Sequence, residues 1–280
     1  MAQILLTGGS GYLGACVADA LARRGLPFAG LPGRLEAVAP HSLRADVVIH
    51  AAGALRHRMD EADRSNRAGM AALIAGLDRP TPVVFVSSRS VYGPHGGDRP
   101  LTESDPVGPI DAYGRSKLEA ERRLAASGHP FVIVRATTLI GRGPGGAGRS
   151  FLTAAARTWI AGGTVTQYTP DRPHDHLDVR TLADALVRIA AAPGAIDGRI
   201  VNAAGPIRSV HATMDALAAA VRQHCGRAPA LRRCPEPAPP APLLDGGAFA
   251  RLCGPPEPPD DRVLCADLVA FLAAQTARPG

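Results

Sequence analysis

The chain alternates short apolar runs with longer segments in which apolar residues recur at helical spacing. Short apolar runs bounded by turn residues are typical of buried strands, and apolar residues at i, i+3, i+4 and i+7 are typical of amphipathic helices. In the first half, the runs that predict strands lie at 4–7, 27–31, 46–53, 83–86 and 131–134. Strands that alternate with helices indicate a parallel sheet covered on both faces. We therefore predict an α/β fold with a doubly wound parallel sheet.

The same pattern divides the chain into a core, residues 1–140, and a small C-terminal lobe, residues 141–280. In the core, helices are predicted from Leu13 to a glycine stop at Gly25, over 59–77, and from a cap at Asp111 to about 126. In the second part we predict helices at 151–160, 213–225 and 263–275, a loop that enters a helix at 178–192, and strands at 164–168 and 199–202. A flexible loop is predicted at 141–146 and an irregular, Pro-rich segment at 228–260. Segments near 164–204 are expected to return to the core.

Composition indicates a protein of the cytoplasm with a large aliphatic core. Hydrophobic residues make up 46% of the 280 positions and aromatic residues only 4%, so Ala, Val, Leu and Ile must fill the interior. A run of eighteen apolar residues and a basic, signal-like N-terminus are both missing from the sequence, so neither a membrane span nor secretion is predicted. The five cysteines lack CxxC spacing, which favours reduced thiols.

The charge of the chain favours small anionic ligands over nucleic acid. The net charge is +6, and the basic residues are scattered rather than gathered in a stripe with interleaved aromatic residues. A modest positive bias attracts dinucleotides and phosphorylated compounds. We therefore predict a small-molecule substrate and no nucleic-acid partner.

A glycine-rich turn follows the first predicted strand at once. It reads Gly8-Gly9-Ser10-Gly11-Tyr12-Leu13-Gly14, and the first helix begins within it. Glycines let the backbone turn sharply and approach a pyrophosphate, and the N–H groups of the helix then face the phosphates. The position between a strand and a helix makes this pattern indicative of dinucleotide binding. The alternative is a Gly-rich hairpin without a ligand.

The end of the second predicted strand is where such folds select their cofactor. An acid there binds the ribose hydroxyls of NAD, whereas an arginine pairs with the 2′-phosphate of NADP. Residues 31–34 contain no acid, and Arg34 lies twenty residues after Gly14. We therefore expect NADP rather than NAD, with an ordinary loop arginine as the open alternative. Only eleven residues separate Arg34 from Asp46, so one unit of the usual sheet is predicted to be missing.

Tyr113 and Lys117 are spaced for catalysis of hydride transfer. They lie four residues apart in a predicted helix, hence on one face. An ammonium beside a phenol stabilises the phenolate, so Tyr113 can exchange a proton with a keto or hydroxyl oxygen. Ser88, at the end of a predicted strand, can bind the same oxygen. A surface pair is the alternative for the two residues taken alone.

Three histidines are explained without catalytic chemistry. His50 lies in a buried strand and is interpreted as a packing residue. His174 and His176 alternate with Asp175 in a strand-like segment, so both rings point to one side. The spacing of the C-terminal cysteines fits no common zinc site, so no metal is predicted.

Together these motifs resemble the extended short-chain dehydrogenase/reductase family, also called the NAD-dependent epimerase/dehydratase family. The matching segments are 7–14, 46–53, 85–93, 113–117 and 175–179, and the resemblance covers about residues 3–225. It implies a Rossmann-like core, a substrate-binding lobe and a catalytic set of Ser88, Tyr113 and Lys117. It also implies a homodimer formed by the helices near 59–77 and 111–126.

The resemblance, with the residue arguments above, gives a set of expected ligand contacts. For the cofactor these are Gly8, Ser10, Gly11, Tyr12, Leu13, Gly14, Arg34, Ala51, Ala52, Gly53, Ser87, Tyr113, Lys117, Ala136 and Thr138. For the substrate they are Ser88, Arg89, Ser90, Thr138, Arg142, Trp159 and His174.

Departures from the family pattern narrow the expected activity. Family dehydratases carry an Asp-Glu pair where this chain has Arg89 and Ser90, which argues against dehydration. Thr138 stands where the family often has a substrate-binding asparagine, and His174 stands where many members have an arginine on the pyrophosphate. Arg142, Arg149 and Arg172 are candidates to replace that arginine.

We therefore expect an NADP(H)-dependent ketoreductase or alcohol dehydrogenase that acts on a keto or hydroxyl carbon of a sugar-nucleotide-like or related small molecule. Two alternatives stay open. One is an epimerase that retains NAD, and the other is a non-catalytic regulatory protein that senses the cofactor. Intact Ser88, Tyr113 and Lys117 count against the second.

Overall fold

The computed structural model describes residues 3–31, 33–53, 59–94, 99–168, 171–236, 241–255 and 257–276, with the backbone alone at 59–65. In chain order the strands are β1 (Ile4–Thr7), β2 (Phe28–Gly30), β3 (Val47–His50), β4 (Val83–Ser88), β5 (Phe131–Ala136), β6 (Thr138–Ile140), β7 (Arg142–Gly143), β8 (Gly146–Ala147), β9 (Thr164–Tyr168), β10 (Pro173–Asp178), β11 (Arg199–Ala203), β12 (Ile207–Ser209) and β13 (Ala230–Cys234). The helices are α1 (Tyr12–Arg23), α2 (Met59–Gly76), α3 (Ala112–Ala125), α4 (Phe151–Ile160), α5 (Val179–Ala190), α6 (Val210–Cys225), α7 (Gly247–Cys253) and α8 (Asp261–Thr276).

A six-stranded sheet forms the centre of the molecule. Its strand order is β2-β1-β3-β4-β5-β11, and all of its pairings are parallel. The strand order reverses between β1 and β3, and ligands of such sheets bind at the carboxyl ends of the strands at this point. Between β2 and β3 the described residues form one short 3-10 turn, Leu35–Ala37, so the predicted loss of a unit is confirmed.

Helices cover both faces of this sheet because successive strand residues face opposite sides. Ile4 and Leu6 of β1 pack in an apolar cluster with residues of α1, α5 and α7. Leu5, between them, packs in a second cluster with residues of α2 and α3. This arrangement confirms the predicted doubly wound, Rossmann-like fold.

The second part of the chain builds a separate apolar cluster from α4, α6 and α8. Beside it lie a two-stranded parallel sheet, β9-β13, and a three-stranded sheet in the order β12-β10-β6. α5 and β11 join the main core, as does α7, whose Phe249 is fully buried against it. β9, in contrast, pairs with β13 outside the main sheet.

Two predicted irregular segments contain regular structure. The predicted flexible loop at 141–146 includes the antiparallel hairpin β7–β8, and the Pro-rich segment at 228–260 includes β13 and α7. α6 also begins three residues before its predicted start, because Ser209 caps it by accepting a hydrogen bond from the Ala212 N–H. Among the described helices, none has the length and apolarity needed to cross a membrane.

Candidate active site

The glycine turn joins β1 to α1 in a geometry that only glycine permits. The Gly11 N–H donates to the Gly8 carbonyl at 2.9 Å, and a Cβ on Gly14 would lie 1.9 Å from the same carbonyl oxygen. α1 then starts without a side-chain cap from the described residues and without an acidic residue in its first turn. The N–H groups and positive dipole end of α1 are therefore available to a phosphate group.

A cavity of about 180 Å³ adjoins this turn at the carboxyl end of β1. It is lined by Thr7, Gly8, Leu31, Gly33, Arg34, Leu35, Glu36, Ala52 and Gly69. Arg34 is thus placed where the sequence predicted a cofactor-selecting residue. Glu36 lines the same cavity and was missed, because only residues 31–34 were considered for cofactor selection and the acid follows Arg34 by two residues.

Lys117 lies buried beneath the carboxyl ends of β3 and β4. Its Nζ donates to the Val86 carbonyl at 3.0 Å and lies 4.9 Å from the centre of the Phe85 ring. A Cβ on Gly53 would be 2.9 Å from this Nζ, so the glycine lets the β3 turn approach the ammonium. Burial lowers the pKa of Lys117 to about 8. Lys117 is also the sole lysine of the chain.

Asn66 of α2 belongs to this group of residues, although the sequence argument did not select it. Its Nδ2 donates to the Ser116 hydroxyl at 2.9 Å, and the side chain is 4% exposed. Its Oδ1 has no hydrogen-bond partner among the described residues and points toward the space beside Gly53. The sequence could have pointed to Asn66, because it is an asparagine in the middle of an otherwise apolar face of a predicted helix.

A second glycine brings the first turn of α3, which carries Tyr113, against the residues that follow β4. Asp111 caps α3 by accepting the Gly114 N–H at 2.7 Å. A Cβ on Gly114 would lie 2.4 Å from the Ser90 carbonyl oxygen, so no larger residue fits there. Ser88 caps the turn at 89–91 by accepting the Ser90 N–H at 3.2 Å. The start of α3, the helix that carries Tyr113 and Lys117, therefore lies beside the turn that follows Ser88 at the carboxyl end of β4.

Two of the predicted cofactor contacts have side chains directed into the protein. The Ser87 hydroxyl donates to Glu121, which also forms a buried ion pair with Arg135 at 2.7 Å. Leu13 is 9% exposed and packs in the main apolar core. Only the backbone of these residues can face a cofactor. Ala136 lies beside Ser88 in the sheet register, and the Tyr12 hydroxyl donates to the Gly141 carbonyl at 2.8 Å.

A larger cavity of about 420 Å³ lies between the main sheet and the lobe. Three predicted substrate residues line it, namely Arg89, Thr138 and His174. Arg172, named above as a possible replacement for the family arginine, lines it as well. The remaining walls come from α4, β9, the start of α6 and two loop positions, namely Phe151, Ala154, Ala155, Thr158, Thr164, Val165, Thr166, Gln167, Tyr168, Val210, His211 and Met214, with Asp171 and Ala241 from the loops.

Four predicted substrate residues do not line this cavity. Ser88 and Ser90 belong to the turn after β4, and the other two pack in the lobe. Trp159 is 2% exposed, packs in the lobe core, and donates its Nε1–H to the Ala230 carbonyl at 2.8 Å. Arg142 forms an ion pair with Asp267 of α8 at 2.8 Å and stacks on Phe271. Both predictions are corrected, because the side chains are committed to packing the lobe and its hairpin.

Arg89 connects the catalytic turn with the larger cavity. Its Nη1 donates to Asp175 Oδ1 at 2.9 Å, to Thr137 Oγ1 at 3.3 Å and to the Pro242 carbonyl at 3.4 Å. Its Nη2 donates to Thr138 Oγ1 at 2.8 Å. Asp175 is fully buried, and burial raises the pKa of its carboxyl group although Arg89 opposes the shift.

His174 and His176 lie on one face of β10, as the strand pattern predicts. Their Nδ1 atoms are 3.4 Å apart, and each ring also contacts a further group: His174 reaches Thr213, and His176 reaches Asp261. Burial, with His176 nearby, lowers the pKa of His174 to about 4, so its ring is neutral at pH 7. In the ranges that the structure describes, no group of three metal-binding side chains is arranged around a common point.

The fold and the glycine turn define a protein of the nucleotide-binding, doubly wound class. The model of the NAD dependent epimerase/dehydratase family matches residues 4–204, and the chain belongs to this family. A UDP-glucose 4-epimerase of Azospirillum brasilense is 32% identical over 183 residues, or 51% of each chain. A dTDP-4-dehydrorhamnose reductase of Mycolicibacterium smegmatis is 29% identical over 259 residues, or 85% of this chain and 76% of the reductase.

The chain thus spans about half the length of the epimerase that it matches, and more of the reductase. Among solved structures, RMD from Pseudomonas aeruginosa complexed with NADPH has a TM-score of 0.80 to this chain. The superposition covers 98% of this chain and all of that one, at 20% identity. At that identity the likeness establishes the fold.

Proposed function

We propose that this protein is an NADP(H)-dependent ketoreductase that acts on a sugar-nucleotide-like substrate. The observation that supports it best is the convergence of the uncapped α1, the buried Lys117 and the turn at Ser88 at one edge of the sheet. The larger cavity begins at this edge with Arg89 and Thr138 and extends into the lobe. Similarity to a reductase over 85% of this chain supports the same class of reaction.

The residues at the strand ends fit a dinucleotide. Gly8, Gly11 and Gly14 would let a pyrophosphate approach the start of α1, where the first backbone N–H groups of the helix would bind it, and the cavity at Arg34 would hold the adenosine ribose. Gly53 and Lys117 would face the second ribose, because the glycine allows a close approach there. A bound nicotinamide would supply the hydride to a carbonyl carbon, or accept it from an alcohol.

The residues of this chain would transfer a proton to or from the substrate oxygen and stabilise the negative charge that develops on it. Tyr113 donates a proton to that oxygen during reduction and removes it during oxidation. Lys117, one helical turn away, stabilises the phenolate that remains. The Ser88 hydroxyl donates a hydrogen bond to the same oxygen, which stabilises the negative charge that develops there.

The cofactor preference can be tested at Arg34 and Glu36. The guanidinium would attract the 2′-phosphate of NADPH, whereas the carboxylate would repel it and favour the ribose hydroxyls of NADH. We expect tighter binding of NADPH in a fluorescence titration of the purified protein, with Arg34→Gln losing most of this preference. Glu36→Gln is the matched control and is expected to strengthen NADPH binding.

A measurement of co-purified nucleotide separates the reductase from an epimerase, which the 32% identity to the UDP-glucose 4-epimerase keeps as a second candidate. An epimerase oxidises and re-reduces one carbon and therefore retains its nucleotide. The protein should be denatured and its released nucleotide measured before the titration. NAD that remains bound through purification would contradict the reductase proposal and favour the epimerase.

A further inference from the structure

The hairpin β7–β8 packs against the first turns of α1, next to the glycine turn. A Cβ on Gly143 would lie 2.1 Å from Cys16 Sγ, and a Cβ on Gly145 would lie 3.1 Å from Ala15 Cβ. Glycine at these two positions therefore lets the backbone of the hairpin approach the helix closely. The hairpin belongs to the second part of the chain, so this part contributes to the surroundings of the cofactor helix.

The side chain of Tyr12 joins the helix to this hairpin. Its hydroxyl donates to the Gly141 carbonyl at 2.8 Å, and its ring lies against Gly148, where a Cβ would be 2.7 Å from the ring carbons Cε1 and Cζ. Burial, with Asp178 nearby, raises the pKa of Tyr12, so the hydroxyl stays protonated and can donate at neutral pH. Tyr12 is also the first residue of α1, and helix geometry leaves its backbone N–H without a partner inside the helix.

Contacts with two further helices fix the hairpin in place. Arg142, the first residue of β7, forms an ion pair with Asp267 of α8 at 2.8 Å and stacks on Phe271 of the same helix. Arg180 of α5 pairs with the other carboxylate oxygen of Asp267 at 3.0 Å, so the lobe helix α8 and the core helix α5 meet beside the hairpin. The hairpin is therefore a fixed support for the Tyr12 side chain.

We propose that Tyr12 is a positioning residue for the dinucleotide, and that the hairpin β7–β8 forms part of the cofactor site by holding the Tyr12 side chain. This inference rests on the proposed function, since a pyrophosphate must bind at the start of α1. The anchored side chain fixes the residue whose backbone N–H would donate to the phosphate. A group that is held in its binding position before the ligand arrives loses little conformational entropy on binding, and the affinity is higher for that reason.

The test measures dinucleotide binding by Tyr12→Phe, which keeps the ring and removes the hydroxyl. Calorimetric titrations give the dissociation constants of NADPH and NADH for the wild-type protein and the variant. We expect the variant to bind both about three- to tenfold more weakly, the loss that one neutral hydrogen bond implies. The ratio between the two constants should not change, because the proposed function assigns it to Arg34 and Glu36. Gly148→Ala tests the same contact from the hairpin, since its Cβ would displace the Tyr12 ring, and should also weaken both dinucleotides.

Tyr92→Phe is the matched control, because it also removes a hydroxyl that donates a buried hydrogen bond, here to Asn202 Oδ1 at 2.8 Å in a separate apolar cluster. It should lower the free energy of unfolding but leave both dissociation constants unchanged. Equal affinities of the wild-type protein and Tyr12→Phe would overturn the inference alone. Equal weakening by Tyr12→Phe and Tyr92→Phe would also overturn it, because the effect would then come from general destabilisation. A wild-type protein that binds neither dinucleotide would overturn the proposed function and the inference with it.

Discussion

At the residue scale, Lys117 allows a direct measurement because the chain has no other lysine. Metabolic labelling with lysine enriched in ¹³C at Cε gives a single resonance from the protein. Burial lowers the pKa of this group to about 8, with Glu121 opposing the shift. We expect the resonance to titrate with a midpoint near 8 in the folded protein and near 10.4 in urea, the value for exposed lysine.

Glu121 supplies the control for this titration. Its carboxylate lies one helical turn after Lys117 and raises the lysine pKa. Glu121→Gln should therefore move the midpoint further below 8. A midpoint in the folded wild-type protein that coincides with the urea value would show that the ammonium is solvated, and the geometry proposed for phenolate stabilisation would be wrong.

At the element scale, the position of α3 depends on the absence of a side chain at Gly114. An alanine in a helix is normally about 1 kcal/mol more favourable than a glycine. At Gly114 the added Cβ would lie 2.4 Å from a backbone oxygen of the Ser90 turn, which must then move. We expect Gly114→Ala to lower the free energy of unfolding by about 1–3 kcal/mol in urea titrations.

Gly69 of α2 is the matched control for that substitution. A Cβ there would lie 3.6 Å from the nearest atom, Leu35 Cδ1, which is an ordinary contact. Gly69→Ala should therefore follow helix propensity and stabilise the protein by about 0.5–1 kcal/mol. Equal effects of the two substitutions would mean that the Ser90 turn does not fix the start of α3.

Elements whose pattern is local were predicted well, and elements stabilised by distant contacts were not. α4 and β9 have the predicted ends, because apolar spacing and a serine cap define them within a few residues. The hairpin β7–β8 was missed because it is stabilised by packing on α1, where a Cβ on Gly145 would lie 3.1 Å from Ala15. α7 was missed because it is short and its Phe249 packs against a core formed earlier in the chain.

The candidate site follows the same division. Ser88, Tyr113 and Lys117 could be chosen as candidate catalytic residues from the sequence, because their residue types and spacing indicate this chemistry. The contacts of Arg89 could not, since its partners lie 48 to 153 residues away in the chain. Trp159 was misplaced because an aromatic residue at helical spacing fits a pocket wall and a core equally well.

At the scale of the whole molecule, two buried histidines are expected to make the fold sensitive to acid. Burial, with Lys117 nearby, lowers the pKa of His50 to about 3, and burial with His176 nearby lowers that of His174 to about 4. In the unfolded chain both titrate near 6.5. Between pH 6.5 and 4 the unfolded state therefore binds more protons than the folded state, and stability falls as the pH falls.

For each histidine, we expect the free energy of unfolding to fall by about 2 kcal/mol when the pH falls from 7.5 to 5. This is a large part of the roughly 5–15 kcal/mol that is typical of the total free energy of unfolding. Urea titrations at the two pH values measure this loss. His50→Asn can still pair with Thr7 and should remove about half of the pH dependence. An identical pH dependence in the wild-type protein and the variant would show that His50 is not held neutral by the fold, and that the strand ends around Lys117 are wetter than the structure indicates.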